Sequence, residues 1–281
     1  MSAAAPVLYA AGHMGRGEMA GNSPDAGRSV LSRALAVLGA FTSERPEHTL
    51  ASIVQATGLS SATAYRLVAE LVAWGALERV ERGRYRIGIR LWRVGSLAPA
   101  ARDLRDAALP FLQDLATATG HYVHLVVVDG HHALFVERLP GRIEAKVRSR
   151  VGRHMPLHAS GPGKVLLAHS PAAFVDEVVG RGLVRLASGT ITDRAALTRA
   201  LADIRTTGYC VSRDEMTDGT SSVAAPVFGP TGEAVAGISV VLGTGTENPQ
   251  LLAPVVRVTA AAISRALGAP AERFPLSGRN R

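Results

Sequence analysis

The sequence predicts an α+β chain of two domains. Three observations point there. Apolar residues recur at helical spacing from Arg28 and end in one short hairpin near Gly88. Beyond about residue 106, helical stretches alternate with strands joined by tight turns. And 281 residues at 47% apolar content exceed one small core and suffice for two. Aromatics are only 5%, so both cores are aliphatic, built from Leu, Val and Ala.

Residues 1–27 are rich in Gly, Ala and Ser and lack an apolar period, so they are expected to be a disordered extension. Met14 and Met19 inside them offer later start sites. Order begins at Arg28. Val30, Leu31, Ala34, Leu35, Val37, Leu38 and Phe41 mark one helix face, which Pro46 ends. Thr49 caps a short helix over Leu50–Thr57. Gly58 turns the chain, and Ser60 or Ser61 caps a third helix that runs to about Trp74 and stops at Gly75. On it Leu67, Val68, Leu71 and Val72 form the buried stripe, leaving Ser60, Ser61, Thr63, Ala64, Tyr65, Arg66 and Glu70 outward or flanking. Leu77–Val80 and Arg84–Ile87 alternate as strands across Glu81-Arg82-Gly83.

Residues 89–105 are expected to be a linker helix, broken near Pro99. A helix over Asp106–Thr119 then opens the second domain, 106–268, and 269–281 form a flexible tail. Strands are expected at Tyr122–Val128 and Ala133–Leu139 across Asp129-Gly130, then at Ala145–Arg148, Tyr209–Arg213, Ser221–Phe228 and Ala234–Leu242. Helices are expected at Gly161–His169, Pro171–Val179, Asp193–Thr206 and Pro249–Leu267. Tight turns between strands imply antiparallel pairing, not a doubly wound nucleotide-binding sheet.

Several function classes are excluded or weak. No apolar run reaches the ~18–20 residues a membrane span needs, and no secretory signal is visible. The single cysteine, Cys210, makes neither an internal disulfide nor a metal cluster, so a reducing cytoplasm is the expected location. Gly161-Pro-Gly-Lys164 is not a phosphate-binding loop, because Ala159 and Val165 stand where Gly and Ser or Thr are required. No nucleophile elbow occurs. The nine His lack zinc-ligand spacing, although His121, His124, His131 and His132 flank one hairpin. Neither catalytic residues, nor a metal, nor a cofactor is expected.

Charge placement points to a polyanion. Net charge is +8, nearly all of it from Arg, since Lys146 and Lys164 are the only lysines. From Arg28 to Gly95 ten Arg oppose five acidic residues. Three helices, a glycine at the turn and a basic hairpin over 28–88 form the plan of a winged helix-turn-helix that binds double-stranded DNA. The third helix would enter the major groove. Ser60, Ser61 and Thr63 suit phosphate or base contacts at its start, Tyr65 and Arg66 follow, and Arg66 can present a fork to guanine or phosphate. Arg79, Arg82, Arg84 and Arg86 charge the wing, with Arg82 and Arg84 the chosen contacts.

At this point the residues resemble a known family. Arg28 to Leu38, Thr57-Gly-Leu-Ser-Ser-Ala-Thr-Ala-Tyr-Arg-Leu67 and Gly83-Arg-Tyr-Arg-Ile-Gly88 are similar to the DNA-binding domain of IclR-type bacterial regulators. Pro156 to Ala168, Ile204 to Tyr209, Asp214-Glu215 with Gly219, and Val223 to Val227 resemble that family's effector domain, in the same order over 28–268. The resemblance implies a profilin- or GAF-like antiparallel sheet with helices. It implies dimers or tetramers on an operator, and control of small-molecule metabolism genes, repression being the expected sign. On the recognition helix Ser61 and Ala62 depart from the family's usual basic residue and Ser. The operator sequence is therefore not carried over.

The resemblance also places an effector pocket at Ser160-Gly161, whose backbone N–H groups at a helix start would face an anion, with Ser212, Ser222 and Ser239 on strands. Family members with a small-carboxylate site carry Asp and Cys where this chain has Ser212 and Ser222. The effector is expected to be a small molecule, an organic acid among the candidates. Arg138, Arg148, His121 and His124 could line a different pocket, although His121 and His124, three apart on a strand, should face opposite sides. Asp214-Glu215 are expected to cap or to pair with Arg rather than touch ligand, and His158 reads as a hydrogen-bonded structural residue. The alternative to a regulator is a small-molecule-binding module or enzyme carrying a basic helical domain with no regulatory role.

Overall fold

The structure is a computed structural model that describes residues 28–42, 44–95, 97, 99–143, 149–243 and 248–270. The disorder expected of 1–27, the strand expected at Ala145–Arg148 and all but two residues of the expected tail lie outside them. The chain divides into two compact units, separated in sequence between Pro99 and Ala100.

The first unit runs α1 (Val30–Gly39), β1 (Glu47–Thr49), α2 (Leu50–Thr57), α3 (Ser61–Trp74), β2 (Leu77–Val80), β3 (Arg84–Ile87) and α4 (Ile89–Gly95). Its boundaries follow local chemistry. Thr49 Oγ1 accepts from the Ser52 N–H and Ser60 Oγ from the Thr63 N–H, so each cap satisfies an orphan donor of its helix. Gly58 and Gly75 close α2 and α3 at φ 70° and 85°, a region that costs any residue with a Cβ. The core is small: Val37, Ile53, Leu59, Ala64, Leu67, Val68 and Leu77.

Three expectations change here. Ala64 is fully buried, because the core stripe of α3 runs 64-67-68-71 and begins one turn earlier than its Leu and Val suggest. On α1 only Val37 is buried; Val30, Leu31 and Leu35 are exposed, since the helix packs on α2 and α3 with a narrower face than its seven apolar positions offer. And β1, unforeseen, joins the hairpin as a third strand in the order β1-β3-β2.

The second unit opens on α5 (Pro99–Thr119) and continues β4 (Tyr122–Asp129), β5 (His132–Leu139), β6 (His154–Pro156), α6 (Gly161–Ala168), α7 (Ala172–Gly180), α8 (Arg194–Thr207), β7 (Cys210–Arg213), β8 (Thr220–Phe228), β9 (Ala234–Gly243) and α9 (Ala253–Ala266). The helix expected over Asp106–Thr119 thus begins at Pro99. Proline is tolerated in a helix's first turn, where its missing N–H has no intrahelical partner to lose.

The six strands form one antiparallel sheet, β6-β5-β4-β9-β8-β7. Both faces are covered. Val123, Leu125, Val223, Ala225, Ile238 and Val240 share a core with Leu104, Leu112 and Leu115 of α5 and Val256 and Ile263 of α9. The alternate positions Val126, Phe135, Cys210 and Ala224 pack against Val165, Leu166 and Leu167 of α6 and Leu197, Leu201 and Ile204 of α8. Sandwiching explains why β8 reads as a nearly continuous buried run rather than an alternation. Among the described residues no helix is long and apolar enough to cross a membrane.

Candidate DNA-binding face and effector cavity

The α3 helix turns its core stripe inward and leaves Ser61, Ala62, Tyr65, Arg66, Ala69, Glu70 and Ala73 exposed. Helical spacing puts Ala62, Arg66, Ala69 and Ala73 at the centre of that outward face. Arg66 is thus the one long side chain among alanines, which lets a surface approach closely. Tyr65, 62% exposed, flanks the face. Ser60 and Thr63 stand at the helix start but are tied together: the Ser60 hydroxyl donates to Thr63 Oγ1 at 2.9 Å. Thr63 is half-buried.

The wing is less uniformly basic than its composition. Register pairs Glu78 with Arg86 and Glu47 with Arg86, so acids and arginines alternate on one face. Arg86 donates through Nε and Nη2 to Glu78 Oε2 at 3.1 and 3.0 Å, and the Ile89 N–H donates to Glu78 Oε1. The Ile89 and Arg86 donors hold the Glu78 carboxyl below the usual carboxylate range. Arg86 therefore fastens the hairpin to the chain entering α4. Arg84 makes a looser, exposed 3.4 Å contact to Glu47. Arg82, at the tip, is exposed and sits at φ 58°, the left-handed region.

In the second unit, all five residues expected at the effector pocket line one cavity: Ser160, Gly161, Ser212, Ser222 and Ser239. Its volume is about 630 Å³ with the open solvent at its mouth included. The register shows why they converge. Ser212 pairs with Ser222 across β7–β8, Ala224 with Ser239 across β8–β9, and His124 with Ser239 across β4–β9. All therefore lie on the face covered by α6. The Gly161-Pro-Gly163 start of α6 is pressed onto that face. A Cβ at Gly161 would meet Ser222 Oγ at 2.7 Å, and one at Gly163 would meet the Leu157 carbonyl at 2.3 Å. These glycines serve close approach, not phosphate binding.

Beyond the expected Ser160-Gly161 cradle, the next three positions offer no N–H to an anion. Pro162 has no N–H, the Gly163 N–H is held by Ser160 Oγ at 3.1 Å, and the Lys164 N–H by the Ser160 carbonyl at 2.9 Å.

Further groups line the cavity beside those five. Glu215 lines it and takes a buried ion pair from Lys164, so its partner is a lysine rather than the expected arginine. His124 lines the same cavity as the serines rather than a separate one. Burial and, less, the Arg138 charge push its imidazole down to about 3, so it stays neutral. Its Nε2 lies 2.7 Å from Ser149 Oγ, to which Arg138 Nε also donates at 3.2 Å. Arg138 itself stacks on Tyr122 behind the lining. Arg153 and the apolar Phe135, Met155 and Met216 close the rest. His121 precedes β4 and is buried but not in the lining, and Arg148 lies outside the described residues. His158 pairs with the Val184 carbonyl at 3.1 Å, and burial lowers its pKa. Burial raises the Cys210 thiol to about 11, an unreactive setting. Asp214, at φ 53°, caps its loop by accepting the Gly219 N–H at 2.7 Å.

Comparison with known proteins agrees in both halves. The family model described as "Bacterial transcriptional regulator IclR C-terminal" matches residues 98–265, and "IclR helix-turn-helix domain" matches residues 30–81. The HTH-type transcriptional regulator XynR of Escherichia coli is 32% identical, over 86% of this chain and 98% of its own length. The HTH-type transcriptional repressor AllR of Klebsiella pneumoniae is 30% identical, over 90% of this chain and 96% of its own. Among solved structures, an IclR homolog from Microbacterium hydrocarbonoxydans complexed with 4-hydroxybenzoate superposes with a TM-score of 0.81 at 32% identity, covering 85% of this chain and 99% of that one. A winged helix-turn-helix joined to a curled antiparallel sheet, matched along nearly its whole described length, places this chain in the IclR family: DNA-binding transcriptional regulators with a small-molecule effector domain, and not enzymes.

Proposed function

We propose that this regulator is a repressor of small-molecule metabolism genes, released from its operator when a small organic acid enters the cavity. What carries the reading is that one chain joins an outward α3 face, with Arg66 among alanines, to a partly open cavity whose largely apolar lining carries a few polar groups. Ser60, Ser61, Thr63, Tyr65 and Arg66 would meet the major groove, with Arg82 and Arg84 on the flanking backbone. Ser160, Gly161, Ser212, Ser222 and Ser239 would hold the effector. The repressor sign is supported by AllR, and the acid by the 4-hydroxybenzoate in the Microbacterium protein. The working location is the cytoplasm, where the operator is.

The working form is a homodimer or a dimer of dimers. A single winged helix reads too few base pairs for useful specificity. Exposed Val30, Leu31 and Leu35 on α1, and Ile89, Trp92 and Val94 on α4, offer apolar surface for a second copy. The domain limits 28–88 and 106–268 leave 89–105 as the coupler, through which effector binding would shift an existing equilibrium between DNA-binding arrangements.

Gel-shift titration on the gene's own upstream region tests this. Specific binding should fall steeply with salt, and Arg66→Ala should weaken it about ten- to a hundredfold with an unchanged circular dichroism spectrum. Normal binding by Arg66→Ala refutes the groove assignment. Operator affinity that is identical with and without a saturating effector refutes the regulatory one.

A further inference from the structure

Two side chains in the cavity lining carry polar atoms that are buried without a partner among the described residues. One is Ser239 Oγ, on a residue 0% exposed; the other is Glu215 Oε2, on a residue 6% exposed. Such atoms are rare in folded proteins, and two in one small-molecule cavity mark where a ligand's own groups belong. The other Glu215 oxygen is already used by Lys164. A carboxylate oxygen can only accept, so its complement must be an O–H or N–H. The Lys164 ammonium beside the same carboxylate disfavours a second cation and favours a neutral donor, which on an organic acid is most simply a hydroxyl.

Other lining groups are committed. Ser160 Oγ holds the Gly163 N–H, Ser149 Oγ sits between His124 and Arg138, and the Thr220 hydroxyl donates to the Thr217 carbonyl. Arg153 also brings a positive charge to the lining.

We propose that the effector is a hydroxylated organic acid. One of its hydroxyls donates to Glu215 Oε2 and bonds Ser239 Oγ. Glu215 is then the specificity-determining group. An acid of the same size without the hydroxyl would leave the Glu215 oxygen buried and unpaired, and sites built to bond a hydroxyl reject such analogues strongly. The assignment rests on the cavity being the effector site.

The test is calorimetric titration of the full chain with matched pairs: lactate and propionate, gluconate and hexanoate, 4-hydroxybenzoate and benzoate, with alanine set against lactate. At least one hydroxy acid should bind, about a hundredfold or more tighter than its unhydroxylated partner. Ser239→Ala should weaken that binding about tenfold while leaving the unliganded melting temperature unchanged or slightly higher, because this hydroxyl holds nothing in the protein. The proposal is overturned if no hydroxy acid of the set binds. It is also overturned if an unhydroxylated partner binds as tightly, if alanine outbinds lactate, or if Ser239→Ala has no effect. A gel shift with the same compounds separates the two readings. A bound hydroxy acid that leaves operator affinity unchanged sinks the regulatory reading and supports this one. Release of DNA by an unhydroxylated acid alone does the reverse.

Discussion

The two units treat their polar side chains in opposite ways. In the first, the groups assigned to DNA stand in solvent: Arg66 and Arg82 are exposed, and the core beneath them is seven buried apolar residues. In the second, the serines assigned to the ligand lie on the sheet face that α6 covers, and Ser239 is buried, as are Lys164, Glu215 and His124. A DNA reader must offer charge to a partner that supplies the counter-charge, and its side chains cost little while they wait. A small-molecule reader must desolvate its groups beforehand, and so depends on internal pairing to keep them affordable. Substitutions should therefore separate binding from stability in the first unit and join them in the second.

The sharpest break of that contrast is Lys164→Met. It leaves Glu215 buried without its partner and should destabilise the second unit by about 3–5 kcal/mol. Adding Glu215→Leu should recover much of the loss, as read by urea denaturation. If Lys164→Met costs under about 1 kcal/mol, the buried pair is not what holds the cavity floor.

A second break, seen only on acidification, comes from His124. Its folded value of about 3 lies below the ordinary 6.5, so between those limits the unfolded chain binds the extra proton. Stability is then full above about pH 6.5 and declines on acidification by up to about 1.4 kcal/mol per pH unit toward pH 3. His124→Gln should flatten this part of the profile. An unchanged profile would show that other groups set it.

The smallest stability effect is expected at Arg82→Gly. Glycine takes φ 58° without strain, which offsets its greater chain entropy, so the melting temperature should hardly move. Operator binding should weaken across all sequences, with the salt slope reduced by about one. Equal slopes for both proteins would remove Arg82 from the DNA contacts.

Much of this architecture was legible because it is local. Thr49, Ser60, Gly58 and Gly75 mark helix ends through bonds that span three or four residues, and the bounds of α2, β2 and β3 follow from them. The features that escaped depend on distance. Lys164 and Glu215 are 51 residues apart, and nothing in either segment announces the other. β1 and β6 are three residues each, too short to show a period. Pro99 read as a break because proline ends helices as readily as it starts them, and only the burial of Leu104 against the sheet decides for a start. The cavity serines were reachable through family likeness alone, since serine in a strand has no pattern of its own. His124 and Arg153 join them only once the strands are in register.

The ends of the six-stranded sheet carry a consequence for how copies of this chain can associate. Its outermost strands, β6 and β7, have three and four residues, and β6 ends in Pro156. The β7 pairing stops at Cys210–Ala224, and two residues later, where β8 itself becomes a border, Pro226 removes a backbone donor. At the β7 end a neighbouring chain therefore finds only short runs of backbone at which to add a strand. Growth by strand addition is disfavoured at that border, which turns association of copies toward side-chain surfaces, and those can be tuned and reversed one residue at a time.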